Sequence, residues 1–228
     1  MKRIIASLVV VAVGVLPALF DQSRADDSKI TKGYNTMDSM GCMLVRDCTD
    51  GVKEVNSIVD ISGEYDNWID FASITDEFNR MLSALNEVGV KVFLAPEKYF
   101  PAQYRGVYNT VGNNFFLNKE WMNSPRILMS VMRHEGWHAA QDCMAGSIKN
   151  SMIAIIMPEE SVPMLWRTMA ERTYPANAVP WEAEAGWAGR EDGMTLKALE
   201  SCAAGTMWTD YEPTPLTEKW LKEEGFID

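Results

Sequence analysis

The only two histidines of the chain are four residues apart, in the segment His134-Glu135-Gly136-Trp137-His138. Because four residues make about one turn of an α-helix, both imidazoles would project from the same side of a helix. A zinc ion can take two ligands from this geometry, and a carboxylate beside the metal can act as a general base. We therefore predict that His134 and His138 bind Zn²⁺ and that Glu135 is the catalytic base.

The residues around this motif predict a helix whose histidine side faces the protein interior. Ser124 and Pro125 provide the capping hydroxyl and the first-turn proline that are typical of a helix start. One face then follows helical spacing: Ile127, Val131, His134, His138 and Gln141. The first half of that face is apolar, and a buried pair of imidazoles needs polar partners, which a metal would provide. The alternative is a chance occurrence of the motif in an ordinary helix.

The third zinc ligand must come from another residue type, because the chain has no third histidine. Catalytic zinc usually has three protein ligands, so Glu, Asp or Cys must complete the set. A helix predicted after a proline carries Glu182 and Glu184. Glu182 shares its face with Ala185, Gly186 and Gly189, which would allow close approach to another helix. Glu184 shares its face with Trp187, Ala188 and Glu191, which is more typical of a rim. We predict Glu182 as the ligand; the alternative for both is a solvated helix start.

The two segments together resemble those of zinc metallopeptidases of the gluzincin group, in which H-E-x-x-H precedes a helix with E-x-x-A. Residues 182–185 match the second motif, with Glu182 as the ligand. The resemblance implies an α+β fold: a single compact zincin-like metallopeptidase domain with a small sheet, an active-site helix and a following ligand-bearing helix. It also implies an edge strand that pairs with an extended substrate. Phe115-Phe116-Leu117 is the candidate for that strand, and an ordinary core strand is the alternative.

The resulting functional prediction is a zinc metallopeptidase in which Glu135 takes a proton from the attacking water. Tyr174 and Arg190 are candidates for stabilising the oxyanion. Asp142 could orient an imidazole or could be a solvated aspartate. The expected partner is a peptide or protein substrate. Two alternatives are open: a non-catalytic secreted protein that binds zinc or a partner, and an amidase acting on cell-wall peptides.

The first 25 residues predict a cleavable signal peptide. A basic start is followed by an apolar run from Ile4 to Phe20 and by the small-x-small sequence Ser23-Arg24-Ala25. A membrane anchor is the alternative, which Pro17 and the modest length of the run disfavour. We expect residues 26–228 to form one secreted or periplasmic domain without a stable membrane anchor.

The cysteines agree with export, and the charge restricts the partners. Four cysteines in an oxidising compartment favour disulfides, and we predict Cys42–Cys48 and Cys143–Cys202, although other pairings and free thiols are alternatives. The formal net charge of −11 argues against nucleic acid as a partner.

Periodicity and turn residues predict several elements, and residues 26–67 show no readable pattern. The predicted elements are a helix from Thr75 to Val88 ended by Gly89, a strand from Val90 to Leu94, a hairpin within residues 104–118, and helices over residues 163–172 and 196–207.

Overall fold

A computed structural model of the chain describes residues 36–66 and 68–228. The predicted signal peptide, residues 1–25, and the first residues of the predicted domain therefore lie outside the described residues. The helices are α1 (Thr36–Leu44), α2 (Ile58–Ser62), α3 (Thr75–Glu87), α4 (Pro125–Met144), α5 (Met164–Thr173), α6 (Val179–Ala188), α7 (Met194–Ala203), α8 (Met207–Asp210) and α9 (Pro215–Glu223). The strands are β1 (Lys53–Glu54), β2 (Lys91–Ala95), β3 (Gly106–Asn109) and β4 (Asn114–Asn118). The predicted α+β class is confirmed at this level.

Among the described residues, the strands form one mixed sheet in the order β1-β2-β4-β3. β4 pairs with β2 in parallel and with β3 in an antiparallel hairpin, so the predicted hairpin is confirmed. The prediction that residues 115–117 form an edge strand is wrong, because β4 lies inside the sheet. The edge position next to the candidate site belongs to β3 instead.

The two faces of the sheet pack against different clusters. On β4, Phe115 and Leu117 contribute to the main core, whereas Phe116 points to a second cluster that contains residues of α1. This division follows from the alternation of side chains along a strand. The main core contains residues from α3, α4 and α7.

α4 is the central helix of the domain. It packs against α3, α6, α7 and the edge strand β3. Close packing on two of these sides depends on Gly136, where a Cβ would lie 3.0 Å from Cγ2 of Thr195 on α7 and 3.1 Å from Cε of Met81 on α3. Consequently most of the residues of α4 in and around the histidine motif are buried.

Both predicted disulfides are present. Cys42 bonds to Cys48 beside the end of α1, and Cys143 bonds to Cys202 across the contact between α4 and α7. The predicted helix over residues 196–207 is instead two helices, because Gly205 has φ +69° between α7 and α8. Within residues 36–66 and 68–228, no helix combines the length and the apolar character that a membrane span needs.

Candidate metal centre

The histidines of α4 are held on a buried face of the helix. α4 begins at Pro125 as predicted, although the Ser124 side chain makes no capping hydrogen bond. The exposed fraction is 4% for His134, 0% for Glu135 and 1% for His138. Burial of three polar side chains on one turn requires partners for each of them.

α6 approaches α4 closely through its small residues. Ala185 is fully buried, and a Cβ on Gly189 would lie 3.2 Å from the carbonyl oxygen of Ser130 and 3.3 Å from Cβ of His134. The expectation that small residues let the Glu182 helix approach its neighbour holds at Gly189, whereas Gly186 lies against Trp166 of α5. The contact at Gly189 carries the Glu182 carboxylate to the two imidazoles.

His134, His138 and Glu182 form a group whose ligand atoms converge. The Nε2 atoms of the two histidines are 3.3 Å apart, and Oε2 of Glu182 lies 3.5 Å from Nε2 of His134 and 3.7 Å from Nε2 of His138. Two ligand atoms about 2.0–2.1 Å from one tetrahedral zinc ion would be about 3.3 Å apart. Oε2 of Glu182 is buried and has no hydrogen-bond partner among the described residues. The group could therefore hold a metal ion.

The protonation state of the two imidazoles suits metal binding. Burial lowers the pKa of His134 and of His138 to about 4, so that both imidazoles are neutral at pH 7. Burial raises the pKa of Glu182 to about 7, opposed by His138 and by a hydrogen bond from Tyr174. Neutral imidazole and ionised carboxylate are the forms that bind a metal.

Glu135 lies between the convergent group and the edge strand. Its Oε2 accepts a hydrogen bond from the backbone N–H of Tyr108 on β3 at 3.0 Å. Its Oε1 is buried without a hydrogen-bond partner in the described part of the chain. Burial and the neighbouring charge of Glu182 raise its pKa well above the usual value. The oxygen that has no hydrogen-bond partner is the one that could accept a proton.

The two candidates for oxyanion stabilisation differ in their position. The hydroxyl of Tyr174, in the loop between α5 and α6, is hydrogen-bonded to Glu182. Arg190 follows the end of α6 and is exposed. Sequence reasoning missed Tyr104, which precedes β3; burial first, and the charges of Glu182 and Glu135 next, raise the pKa of its phenol.

Glu184 is not a rim residue, and that prediction is wrong. Its side chain is 1% exposed and accepts hydrogen bonds from Nε1 of Trp137 at 3.1 Å and Nε2 of Gln141 at 2.7 Å. It also accepts from the backbone N–H groups of Ile156 and Met157. These donors compensate for the burial of the carboxylate.

Asp142 neither orients an imidazole nor is solvated, so both readings of it are wrong. It is fully buried, and its Oδ2 accepts a hydrogen bond from the Tyr108 hydroxyl at 2.8 Å. The group that contacts Nδ1 of His138 is Gln141, with its Oε1 at 2.7 Å. Gln141 follows His138 by three residues on the same helix face, and this spacing is the sequence signal that could have identified Gln141 as its partner. The ring of His134 is hydrogen-bonded to the backbone carbonyl of Ala185.

The fold and the site together define an α+β protein with a buried His-His-Glu group that could bind a metal ion. No protein-family model, no curated protein and no solved structure matches the chain. The geometry of the site is therefore the basis for any functional assignment.

Proposed function

We propose that this protein is a zinc-dependent hydrolase of peptide bonds. One observation carries the proposal: the buried carboxylate of Glu135 has an uncommitted oxygen and directly follows His134 of the convergent group. A purely structural metal site does not require a base in this position. Two nitrogen ligands and one carboxylate are also a ligand set that catalytic zinc uses.

In this proposal His134, His138 and Glu182 would hold a zinc ion. Zinc supplies Lewis acidity: it lowers the pKa of a bound water toward neutrality and polarises the substrate carbonyl. Glu135 would accept a proton from the water that attacks the carbonyl carbon, and would pass it to the nitrogen of the breaking C–N bond.

Tyr174 is proposed to hold the third ligand in place. Oε2 of Glu182 has no hydrogen-bond partner in the described chain, so the hydrogen bond from Tyr174 falls on Oε1. One oxygen is thereby fixed while the other faces the imidazoles. This arrangement limits rotation of the carboxylate away from the metal.

Burial of the site favours one alternative, in which a bound metal is structural. The side chains of His134, His138 and Glu182 are each at most 5% exposed. In that case the protein would be a non-catalytic metal-binding protein. The two disulfides support export to an oxidising compartment in either case.

The decisive experiment is hydrolysis of casein, an unstructured protein substrate, before and after metal exchange. We expect the purified protein to release peptides, to lose this activity with a chelator and to regain it with zinc. A structural metal predicts stoichiometric zinc, loss of stability on chelation and no hydrolysis at any stage.

A further inference from the structure

Gln141 connects an imidazole of the candidate metal group to a buried carboxylate. Its Oε1 lies 2.7 Å from Nδ1 of His138, and its Nε2 lies 2.7 Å from Oε2 of Glu184. Nε2 also donates to the backbone carbonyl of Trp181 at 3.1 Å. The side chains of Gln141, His138 and Glu184 are all buried.

The surroundings of Gln141 determine which way its amide group points. A carboxylate and a backbone carbonyl only accept hydrogen bonds, so the NH₂ group must face Glu184 and Trp181. The amide oxygen must then face His138 and accept a hydrogen bond from Nδ1–H. A neutral imidazole carries one proton, so protonation of Nδ1 leaves a lone pair on Nε2. Nε2 is the nitrogen that faces His134 and Glu182.

Glu184 is itself held in place. Nε1 of Trp137 and the backbone N–H groups of Ile156 and Met157 all donate to its carboxylate. These donors come from two different parts of the chain, so the carboxylate cannot rotate without leaving a buried donor unpaired. Because Gln141 donates to this fixed carboxylate, Glu184 determines the orientation of the Gln141 amide.

We propose that Glu184 and Gln141 are positioning residues that select the Nδ1–H tautomer of His138 and so keep its Nε2 available to a metal. The inference rests on the proposed metal-binding role of His138. His134 provides an internal comparison, because its partner is the backbone carbonyl of Ala185 and not a side chain. One imidazole is thus oriented by the backbone and the other by this pair of side chains.

The tautomer can be measured directly, because the chain has only two histidines to assign. Long-range ¹H–¹⁵N NMR of the purified protein, with metal removed by a chelator, distinguishes Nδ1–H from Nε2–H for each ring. We expect Nδ1–H for both rings in the parent protein. The same sample also yields the zinc dissociation constant by competition with a chelating dye.

Two variants test the pair. Gln141→Met keeps the length of the side chain but accepts no comparable hydrogen bond, so His138 should lose its preference for Nδ1–H. Glu184→Gln replaces the charged acceptor of Gln141 by an amide, so the Gln141 amide is held less firmly in one orientation and His138 should lose part of its preference for Nδ1–H. Each should raise the zinc dissociation constant about 10- to 100-fold, the usual effect of losing such a partner. His134 should be unaffected in both.

The matched control is Asp142→Asn, at the next residue of the same helix. Asp142 is buried and contacts Tyr108 but neither imidazole. This variant should keep both tautomers and the zinc affinity of the parent.

Several results would overturn the inference. One is a parent protein in which His138 carries its proton on Nε2. Another is a folded variant that keeps the Nδ1–H tautomer, whether its zinc affinity is unchanged or reduced, since a reduction would then come from packing alone. If Gln141→Met fails to fold, the parent spectrum and Glu184→Gln decide the question. Absence of casein hydrolysis would contradict the proposed function and leave the tautomer result intact.

Discussion

Cβ of His134 lies 3.3 Å from the position that a Cβ would occupy on Gly189. The carbonyl oxygen of Ser130 lies 3.2 Å from the same position. Both distances are tighter than ordinary van der Waals contact, so the backbone at the C-terminal end of α6 lies directly against the part of α4 that includes His134. The approach of Glu182 to the histidines depends on this contact between helices.

A larger residue at Gly189 should therefore weaken metal binding without touching a ligand. We expect Gly189→Val to displace α6 and to raise the zinc dissociation constant by about tenfold or more, by analogy with other changes that misplace metal ligands. The control is Gly41→Ala in α1, where a Cβ would meet nothing within 4 Å. That variant should keep the parent affinity; equal affinities in all three proteins would contradict the account of α6.

Glu182 should be as important to the metal as either histidine. Glu182→Ala leaves two protein ligands, which hold zinc poorly, so stoichiometric metal should be lost. Glu191→Ala, in the exposed segment after α6, is the matched control and should retain full zinc content. Elemental analysis of the dialysed proteins measures both. Full occupancy in the Glu182 variant would mean that another residue completes the site.

Local patterns were sufficient to predict the parts of the site that a single helix displays. The spacing of His134 and His138 and the small residues beside Glu182 are such patterns, because helix faces follow directly from spacing. The hydrogen-bond partners of Glu184, by contrast, could not be predicted from a local pattern. Its donors come from α4 and from Ile156 and Met157, which no local pattern connects to α6.

In the sheet, too, local patterns predicted a hairpin but not the pairing between distant segments. The hairpin of β3 and β4 was predictable from its turn. The parallel pairing of β4 with β2 joins the hairpin to an earlier segment of the chain, and this pairing sets which strand is at the edge. The unread segment before residue 67 contains α1, α2 and β1, which are too short for strong periodicity. α2 still has one readable signal, a capping box of Ser57 and Asp60.

The Cys143–Cys202 disulfide should stabilise the domain more than the Cys42–Cys48 disulfide. The two cysteines of the first bridge are 59 residues apart and those of the second are 6 apart. In the chain-entropy model the longer loop contributes about 4 kcal/mol and the shorter about 2 kcal/mol. Urea unfolding of the Cys143→Ala/Cys202→Ala and Cys42→Ala/Cys48→Ala double variants measures the difference. A larger loss for the second pair would contradict this ranking.

Asp142 should make stability depend on pH. Burial raises the pKa of its carboxyl from 3.8 to about 8, so the folded state keeps a proton that the unfolded chain releases between these values. The contribution of this group to the free energy of unfolding is therefore full below pH 3.8 and declines as the pH rises toward 8.

Replacement of Asp142 by asparagine tests that dependence. Asp142→Asn cannot ionise, so its stability relative to the parent should increase with pH across this window, by at most about 1.4 kcal/mol per pH unit. Urea unfolding of both metal-free proteins at pH 5 and at pH 8 provides the comparison. A difference that is the same at both pH values would show that Asp142 does not titrate in this range.

The most direct test of the central claim is zinc content and casein hydrolysis measured on the same preparations of the parent protein and of Glu135→Gln. The glutamine keeps the size of the side chain but cannot accept the proton, so we expect one zinc ion per chain in both proteins and a rate at least about 10²-fold lower in the variant. A variant that holds zinc and hydrolyses casein at the parent rate, or a parent protein without stoichiometric metal, would contradict the assignment of a zinc hydrolase.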